Sequence, residues 1–430
     1  MDYGDSCAAT RTEKSCIERN ACKARFADNS RHEGLSTGEA LWREEDPQDR
    51  LKDEIDVFHA TIEKRFVIME NPLNFFRRKV FPSYLGIDIG TTSIKVVEVK
   101  NGDERPELVN YGILESSGYL ARENQALQTS SLKIFESEIV DLLKTVVRGM
   151  ETSATDVVAS LPLFSAFISV LDFPKMETKE IERAIIYQAK QYVPLPLSEV
   201  ALDWLKVAEF EDEKGFYHQK ILLISVPQEQ IKKYQEMFKS VGLTLRALEI
   251  ESFGLVRVLG SDPTPTMVID IGSRSTNVVF LEKGSLVWAT QSDYGGASLT
   301  QALASSLNIN PLRAEELKKE RGILGTGPNY ELSSIMMPFM DAILNEVKKA
   351  QFLYGQQFPS ARKIERIVLA GGGANLLGIE PYIERQLGIP AAKIAPFSRF
   401  AYPLPMEPLV GELNAVLAIS LGLGMKEFLS

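Results

Sequence analysis

The stretch "LGIDIGTTSIKVVEV" at residues 85–99 decides the fold. Apolar residues alternate with Gly86, Asp88 and Gly90 before a Gly-Thr-Thr-Ser turn, and a second β-branched run follows that turn. Alternation with a period of two on both sides of a short polar turn predicts a β-hairpin. Such a turn needs only glycine and small polar residues, so a carboxylate in this apolar strand needs its own explanation. Asp88 either caps the turn or has a chemical role.

The same pattern occurs a second time, as "MVIDIGSRSTNVVFL" at residues 267–281. Asp270 and Gly272 stand there in the places of Asp88 and Gly90. A repeat at this separation is too long for the period of a solenoid and indicates two domains of common ancestry. One apolar strand with an aspartate is common by chance. Two copies, each followed by a β run, favour a chemical role for both aspartates.

Hairpins of this kind suit phosphate binding. Gly90 and Gly272 have no Cβ, so main-chain N–H groups and nearby hydroxyls can approach phosphate oxygens closely. Two such loops facing each other would hold a polyphosphate from both sides, with the aspartates beside its Mg²⁺. Because Mg²⁺ keeps several of its waters, the aspartates are expected to face it through water. The chain has no G-x-x-x-x-G-K-[ST] stretch, which excludes the P-loop route to a nucleotide, and G-x-G-x-x-G is absent too.

Three later segments extend the pattern. Residues 366–390 indicate a buried strand, a triple-glycine turn and a helix, so that the main chain could pass close to a nucleoside. The pair Gly295 and Gly296 precedes another predicted helix, and Glu315 and Lys318 are spaced to share one helical face. The plain alternatives are a tight strand-to-helix turn for the glycines and a solvated charged face for the last pair.

Length and composition are those of an ordinary globular protein. The 430 residues are 44% hydrophobic and 25% charged, with a formal net charge of −10. These values allow two or three domains and argue against broad nucleic-acid binding. The N-terminal residues lack the apolar core of a secretory signal, which makes a cytoplasmic location the expectation. The apolar run at 414–425 is shorter than the ~20 residues of a membrane span, which favours a buried terminal helix.

Residues 1–68 differ in composition from the rest of the chain. They are dense in charge and poor in periodic apolar residues, which is typical of disorder. Met69 would be a sensible natural start, so this segment is expected to be disordered or a non-native N-terminal extension. Residues 69–83 are expected to form a short linker, with an amphipathic membrane contact at "NFFRRK" as the alternative.

In chain order, the two Asp-x-Gly hairpins, Gly-Gly, Ala-Glu-x-x-Lys and Ala-Gly-Gly-Gly resemble the superfamily of actin, sugar kinases and heat-shock chaperone ATPases. Within it, residues 84–430 are most similar to the PilM family, cytoplasmic actin-like proteins of type IV pilus assembly that are related to the cell-division protein FtsA. The stretches that point to this branch are "SLPLFSAFISVLDFPKM" (160–176), "AIIYQAKQYVPLPLSEVALDW" (184–204) and "LRALEIESFGLVRVL" (245–259).

The resemblance implies an α/β, bilobed actin-like ATPase fold made of two duplicated ribonuclease-H-like domains. It also implies an inserted α/β subdomain, as in FtsA and PilM. The expected division is a first lobe at 84–163, the inserted subdomain at 164–244, a connection returning to the first lobe at 245–266, a second lobe at 267–415 and a C-terminal helix at 416–430.

The resemblance further implies ATP and Mg²⁺ in the cleft between the lobes. Asp88 and Asp270 would face the metal. Glu315 and Lys318 would reach ribose and adenine. The residues implied in nucleotide binding are Gly90, Thr91, Thr92, Lys95, Gly272, Ser273, Ser275, Gly295, Gly296, Glu315, Lys318, Gly371, Gly372 and Gly373. Asn277 stands where the first hairpin has Lys95, so the two loops are not equivalent.

The implied function is that of an ATP-binding adaptor in the inner-membrane platform of the pilus. Its inserted subdomain and first lobe would dock the cytoplasmic N-terminal peptide of a PilN-like membrane protein in a nucleotide-dependent way, so membrane association would be indirect. Pilus motor ATPases and further copies of the chain are other candidate partners, and no nucleic acid is expected.

Hydrolysis requires a group that positions the attacking water. Residues 156–167 contain no glutamine or glutamate, so the expectation is ATP binding with at most slow turnover and no assigned catalytic residue. The alternatives are an FtsA-like cell-division adaptor, a related secretion-platform adaptor and a phosphotransferase of the sugar-kinase type.

Overall fold

The computed structural model describes residues 83–115, 132–324 and 330–428, with only the main chain at 132–137 and 330. The prediction for residues 1–68 therefore lies outside the described residues. The strands are β1 Ser83–Ile89, β2 Ser93–Lys100, β3 Glu107–Glu115, β4 Asp156–Leu161, β5 Phe167–Pro174, β6 Val200–Glu211, β7 Tyr217–Pro227, β8 Thr244–Ile250, β9 Thr266–Ile271, β10 Thr276–Glu282, β11 Ser285–Ser292, β12 Arg366–Ala370 and β13 Ala391–Lys393. The helices are α1 Leu132–Gly149, α2 Thr178–Tyr192, α3 Gln228–Ser240, α4 Glu251–Leu259, α5 Gly296–Leu307, α6 Pro311–Arg321, α7 Tyr330–Gln357, α8 Ile379–Leu387 and α9 Glu407–Gly424.

Two of the sheets have the same topology. The first has the order β3-β2-β1-β4-β8 and the second the order β11-β10-β9-β12-β13. In each sheet the first three strands in sequence form an antiparallel meander, and the remaining two continue parallel to the first strand. The repeated hairpin of the sequence is thus the start of a repeated five-stranded sheet. We call the part built on the first sheet the first lobe and the part built on the second sheet the second lobe.

The third sheet, of order β5-β7-β6, lies in the chain between β4 and β8 and is antiparallel. We call residues 164–243 the insert. Helix α2 covers one face of this sheet, where Leu171, Ile185 and Leu223 share a small core. The other face is continuous with the main core through Leu222 and Ile224. Alternate residues of β7 point to opposite faces, so this central strand joins the insert to the body of the molecule.

Helix α9 lies across β1, β2 and β4 of the first sheet and crosses α4. Among the described residues, Leu404–Gly424 is one helical segment long and apolar enough to span a membrane, but 56% of its 18-residue apolar window is buried inside the fold. The expected buried terminal helix is therefore present as a core helix. It begins at Glu407 rather than at the expected 416 because Pro408 at its start fits the first helical turn.

The crossing of α4 and α9 brings two glycines together. A Cβ built on Gly422 would lie 2.0 Å from the main-chain oxygen of Gly254, and one built on Gly254 would lie 2.8 Å from that of Ile419. A buried network of charged side chains also holds the two helices together at this crossing. Arg257 lies 3.0 Å from Glu249 and donates to the carbonyl of Gly422 at 2.8 Å, and Lys426 also pairs with Glu249.

We expect Gly422→Ala to destabilise the protein, because its methyl group has no room at the helix crossing. The cost of such overpacking is roughly 1–3 kcal/mol or more. Gly411→Ala in the same helix is the control, since nothing lies within 4 Å of a Cβ built at that position, and it should raise stability by up to ~1 kcal/mol. Urea denaturation measures both variants. Equal stability of the two would contradict the close crossing.

The buried network predicts a dependence of stability on pH. Burial alone would raise the pKa of Glu249, but Arg257 and Lys426 outweigh burial and hold that pKa at about 2. The stability gained from ionised Glu249 is therefore present above its unfolded value of about 4.3 and is lost as the pH falls toward 2. Glu249→Gln should lower the free energy of unfolding by roughly 3–5 kcal/mol at pH 7. The difference in unfolding free energy between the variant and the wild type should shrink below about pH 4.

Denaturant titrations between pH 7 and pH 3 would measure that gap. Glu213→Gln, a change at an exposed residue of the β6–β7 turn, is the control and should track the wild type at every pH. A gap between Glu249→Gln and the wild type that stays constant down to pH 3 would exclude the ionised Glu249 as its cause.

Candidate nucleotide-binding site

The first phosphate-type turn joins β1 to β2. Asp88 and Lys95 are direct cross-strand partners, and the Lys95 ammonium lies 2.9 Å from Asp88 Oδ2. The hydroxyl of Ser160, on β4, donates to the other oxygen of Asp88 at 2.8 Å. The N–H of Gly90 donates to the carbonyl of Ser93 at 2.9 Å, which closes the turn. Asp88 is thus fixed in orientation and only 3% exposed.

The second turn, between β9 and β10, repeats this construction with one change. The N–H of Gly272 donates to the carbonyl of Ser275 at 2.9 Å, as in the first turn. Asp270, 4% exposed, faces Asn277 across the strands where Asp88 faces a lysine. The Asn277 amide donates to Asp270 at 3.1 Å. The two loops are therefore alike in backbone but differ in charge.

A third carboxylate joins these two. Glu251 is the first residue of α4, and its Oε1 accepts a hydrogen bond from the amide of Asn277 at 2.9 Å and one from the N–H of Leu163 at 3.1 Å. Burial, and then the charges of Asp270 and Asp88, raise the pKa of Glu251 above its usual range. Burial also raises the pKa of Asp270. Burial and the neighbouring carboxylates thus disfavour the charged form of Glu251.

Lys95 is the cation that these carboxylates share. Burial disfavours its ammonium, but Asp88, Asp270 and Glu251 outweigh burial, and the pKa of Lys95 is raised. Three carboxylates thus surround one ammonium. A further cation would lower the electrostatic cost of this arrangement.

The donor set fits a magnesium ion held mainly through water. Among the described residues, no group of three His, Cys, Asp or Glu side chains is placed to hold a metal ion. Mg²⁺ commonly keeps several waters and uses one or two carboxylates together with phosphate oxygens. Asn277 adds a buried side-chain oxygen without a hydrogen-bond partner, which could accept a hydrogen bond from such a water. The residues present therefore fit a hydrated cation beside a phosphate chain.

The start of α5 closes onto the second turn. The N–H groups of Gly296 and Ala297 donate to the carbonyls of Gly272 and Ser273 at 2.9 and 2.7 Å. A Cβ on Gly295 would lie 2.6 Å from the Ser273 oxygen. These N–H groups are therefore used to shape the turn. Contact of Gly295 and Gly296 with a nucleotide stays a prediction.

Glu315 and Lys318 of α6 lie against the start of α5, beside the second turn. They form an ion pair at 2.6 Å, and the Lys318 ammonium also donates to the carbonyl of Gly296 at 3.0 Å and to the hydroxyl of Thr300 at 2.8 Å. Burial lowers the pKa of Lys318. The structure thus brings this predicted pair next to the second turn, where it joins α6 to α5 rather than forming a solvated face.

The triple-glycine turn follows β12 and packs on β9. Gly371 has φ of 77°, and a Cβ there would lie 2.5 Å from Asp270 Oδ1; a Cβ on Gly373 would lie 2.4 Å from Ile271. Only glycine fits these two positions without a shift of the neighbours. Gly372 has open space around it, as a position beside a flat ligand requires. The 3₁₀ turn Gly372–Asn375 contains the last two of these glycines and precedes α8.

The family model for type IV pilus assembly protein PilM matches residues 86–428. The chain belongs to the PilM family. A solved PilM–PilN type IV pilus biogenesis complex is similar to 80% of this chain and 98% of that one, with 23% identity and a TM-score of 0.65. Among curated proteins, cell division protein FtsA of Enterococcus hirae is 21% identical over 345 residues, which cover 71% of this chain and 76% of the relative. Cell division protein FtsA of Enterococcus faecalis is 21% identical over 257 residues, which cover 56% of this chain and 58% of that relative.

The predicted PilM family and the predicted α/β actin-like ATPase fold are confirmed by these comparisons. The structure also brings together the residues that the motifs singled out. Asp88, Lys95 and Asp270 share one cluster, and the other predicted residues border the two turns. Thr91 and Thr92 lie in the first turn, and Ser273 and Ser275 in the second.

Sequence reasoning missed Glu251. The expectation of slow turnover rests on residues 156–167, and residues 245–266 are expected only to form a connection returning to the first lobe. In this PilM-family fold, β1, β4 and β8 run parallel, so the residues at their carboxyl ends meet at one edge of the sheet. Ligands of open α/β sheets bind at that edge. A carboxylate directly after a buried strand was the signal that could have identified Glu251.

We expect Lys95→Met to destabilise the protein, because it leaves Asp88 buried beside two further carboxylates. Breaking a buried ion pair costs roughly 3–5 kcal/mol. Lys100→Met is the matched control on β2, since Lys100 pairs with Glu107 at the surface and such pairs contribute at most about 1 kcal/mol. Adding Asp88→Asn to Lys95→Met should recover part of the loss. Urea denaturation without nucleotide measures all three, and equal losses for both lysines would refute the role of Lys95.

Proposed function

We propose that this PilM-family protein is a cytoplasmic Mg²⁺-ATP-binding adaptor of the type IV pilus inner-membrane platform. In this proposal it docks the cytoplasmic N-terminal peptide of a PilN-like membrane protein, and bound nucleotide controls the docking. The observation that carries the proposal is the pair of matching turns, with Asp88, Asp270 and Glu251 gathered around Lys95. Pilus motor ATPases and self-association remain further candidate interactions.

ATP with Mg²⁺ would supply a phosphate chain and the positive charge that the site lacks. In this arrangement the turns at Gly90–Thr92 and Gly272–Ser275 bind the phosphates with main-chain N–H groups and hydroxyls. Asp88 and Asp270 would hold the metal through water, and the Asn277 oxygen that lacks a hydrogen-bond partner would accept a hydrogen bond from such a water. Glu315, Lys318 and the triple-glycine turn border the nucleoside.

Glu251 is the candidate for positioning an attacking water. Both of its hydrogen bonds, from Leu163 and Asn277, fall on Oε1, which leaves Oε2 for a water. Such a group in the right place is what phosphoryl transfer to water requires. Because Glu251 is already held in a hydrogen-bonded cluster, slow turnover is the expected behaviour.

The link from nucleotide to partner also passes through Glu251. Its partner Leu163 immediately precedes the insert, and the next residue, Phe164, is 61% exposed. Further large apolar side chains of the insert are exposed, namely Phe167, Ile186, Tyr187 and Tyr192. An apolar peptide segment could cover such side chains. A nucleotide that shifts Glu251 would therefore shift the start of a partner-docking surface and change the population that binds.

The experiment is calorimetric titration of the full chain with Mg²⁺-ATP, and then with the cytoplasmic N-terminal peptide of the inner-membrane protein encoded beside it. We expect Asp270→Asn to weaken Mg²⁺-ATP binding by tenfold or more, about 1.4 kcal/mol. The control Asp103→Asn removes an exposed carboxylate in the β2–β3 connection and should bind like the wild type.

Peptide affinity should rise with Mg²⁺-ATP by a factor in the range of roughly 5–150 that is typical of coupled sites. The rise should be lost in Asp270→Asn. Mg²⁺-ATP binding with no peptide binding in any state would refute the adaptor role. A peptide affinity that is the same with and without nucleotide would refute the nucleotide control alone.

A further inference from the structure

The insert contacts the second lobe as well as the first. Its chain enters from β4 and returns through β8, both in the first sheet, so its covalent attachment is to the first lobe. On its other side, β6 packs against β11, the edge strand of the second sheet. A side chain of β7, Lys220, reaches Phe358 at the end of α7. The insert therefore spans the joint between the lobes.

Lys220 is buried beside one acidic and two aromatic side chains. It is 8% exposed, and its ammonium is 2.6 Å from Asp172 Oδ1. The ammonium also lies 5.1 Å from the ring centre of Phe210, in the insert, and 5.6 Å from that of Phe358, in the second lobe. Ala208, the direct cross-strand partner of Lys220 on β6, is too small to occupy this space. Asp172 compensates the charge of the buried ammonium, and the faces of the two rings add cation–π attraction. Contact with Phe358 is therefore favoured over separation.

Phe358 is in turn connected to the nucleotide-binding lobe. It is 4% exposed and packs on Tyr354 at 5.1 Å. Tyr354 stacks on Phe280 at 4.2 Å. Phe280 belongs to β10, the strand that also carries Asn277 of the site. A continuous series of rings thus runs from the strand beside the phosphate turns to the ammonium of the insert.

We propose that the Lys220–Phe358 contact is a latch that makes the insert follow the second lobe when nucleotide binds. The proposal rests on the proposed nucleotide control of the docking surface. A rotation of the lobes about the α4–α9 crossing moves Phe358 relative to the first-lobe anchors of the insert. With the latch closed, the rotation carries the insert and its exposed apolar side chains along. Without the Lys220–Phe358 contact, the insert stays with the first lobe, and the position of its exposed side chains no longer depends on bound nucleotide.

The test is amide hydrogen exchange of the full chain with and without a non-hydrolysable Mg²⁺-ATP analogue. Lys220→Met keeps the length and packing of the side chain between the rings but removes its charge. Phe358→Leu removes the ring from the second-lobe side. Lys214→Met removes the same charge from an exposed position of the same hairpin and is the control.

In the wild type and in Lys214→Met, the analogue should change exchange both in the phosphate turns and in β6–β7. In Lys220→Met and Phe358→Leu, the change in the phosphate turns should remain while the change in β6–β7 is lost. Exchange of β7 without the analogue shows whether the variants are folded.

Three outcomes overturn the latch. If β6–β7 responds in Lys220→Met and Phe358→Leu as in the wild type, the insert is coupled by another route and the proposed function stands. If the phosphate turns respond in the wild type but β6–β7 does not, the insert is not coupled, although nucleotide binding stands. If no segment of the wild type responds, both the latch and the proposed nucleotide control fail.

Discussion

The buried charge of Lys95 among Asp88, Asp270 and Glu251 is the interaction on which the site depends. The three carboxylates come from different elements, β1, β9 and the start of α4, and one ammonium offsets part of their repulsion. Lobes that bring like charges this close store electrostatic free energy. A cationic ligand would relieve this repulsion, so the same charges would favour Mg²⁺ with a phosphate chain.

The duplicated sheet explains how these carboxylates meet. In each lobe the first strand is parallel to the two strands that follow the meander. Parallel strands place their carboxyl ends at one edge, and each edge carries an aspartate from the first strand. Helices α4 and α9 connect the two sheets, since α9 contacts β1 and β12 and α4 contacts β11. The close approach of Gly254 and Gly422 leaves these helices little freedom to slide past each other.

The fold and the two aspartates of the candidate site could be predicted from the sequence. The site and contact residues that could not be predicted depend on long-range packing. Asp88 and Asp270 were found because a carboxylate in an apolar strand, with a glycine two residues on, leaves a local pattern that repeats. Lys220 leaves no local pattern, and Glu251 is marked only as a carboxylate directly after a buried strand. Glu251 depends on β8 pairing in parallel with a strand about ninety residues earlier. Lys220 depends on a contact with Phe358, which lies in a different lobe.

The insert is held at two separate contacts, which favours the proposed control of its surface by movement of the lobes rather than by one loop. Leu163 connects its first-lobe end to Glu251, and Lys220 connects its far side to the second lobe. A nucleotide that acted only at Glu251 would move one end of the insert and leave the other held. A closure of the lobes would move Phe358 relative to the first-lobe anchors of the insert, so an insert held at both points would have to reorient with it. Its exposed apolar side chains would change position together, as a surface that binds a partner in only one state requires.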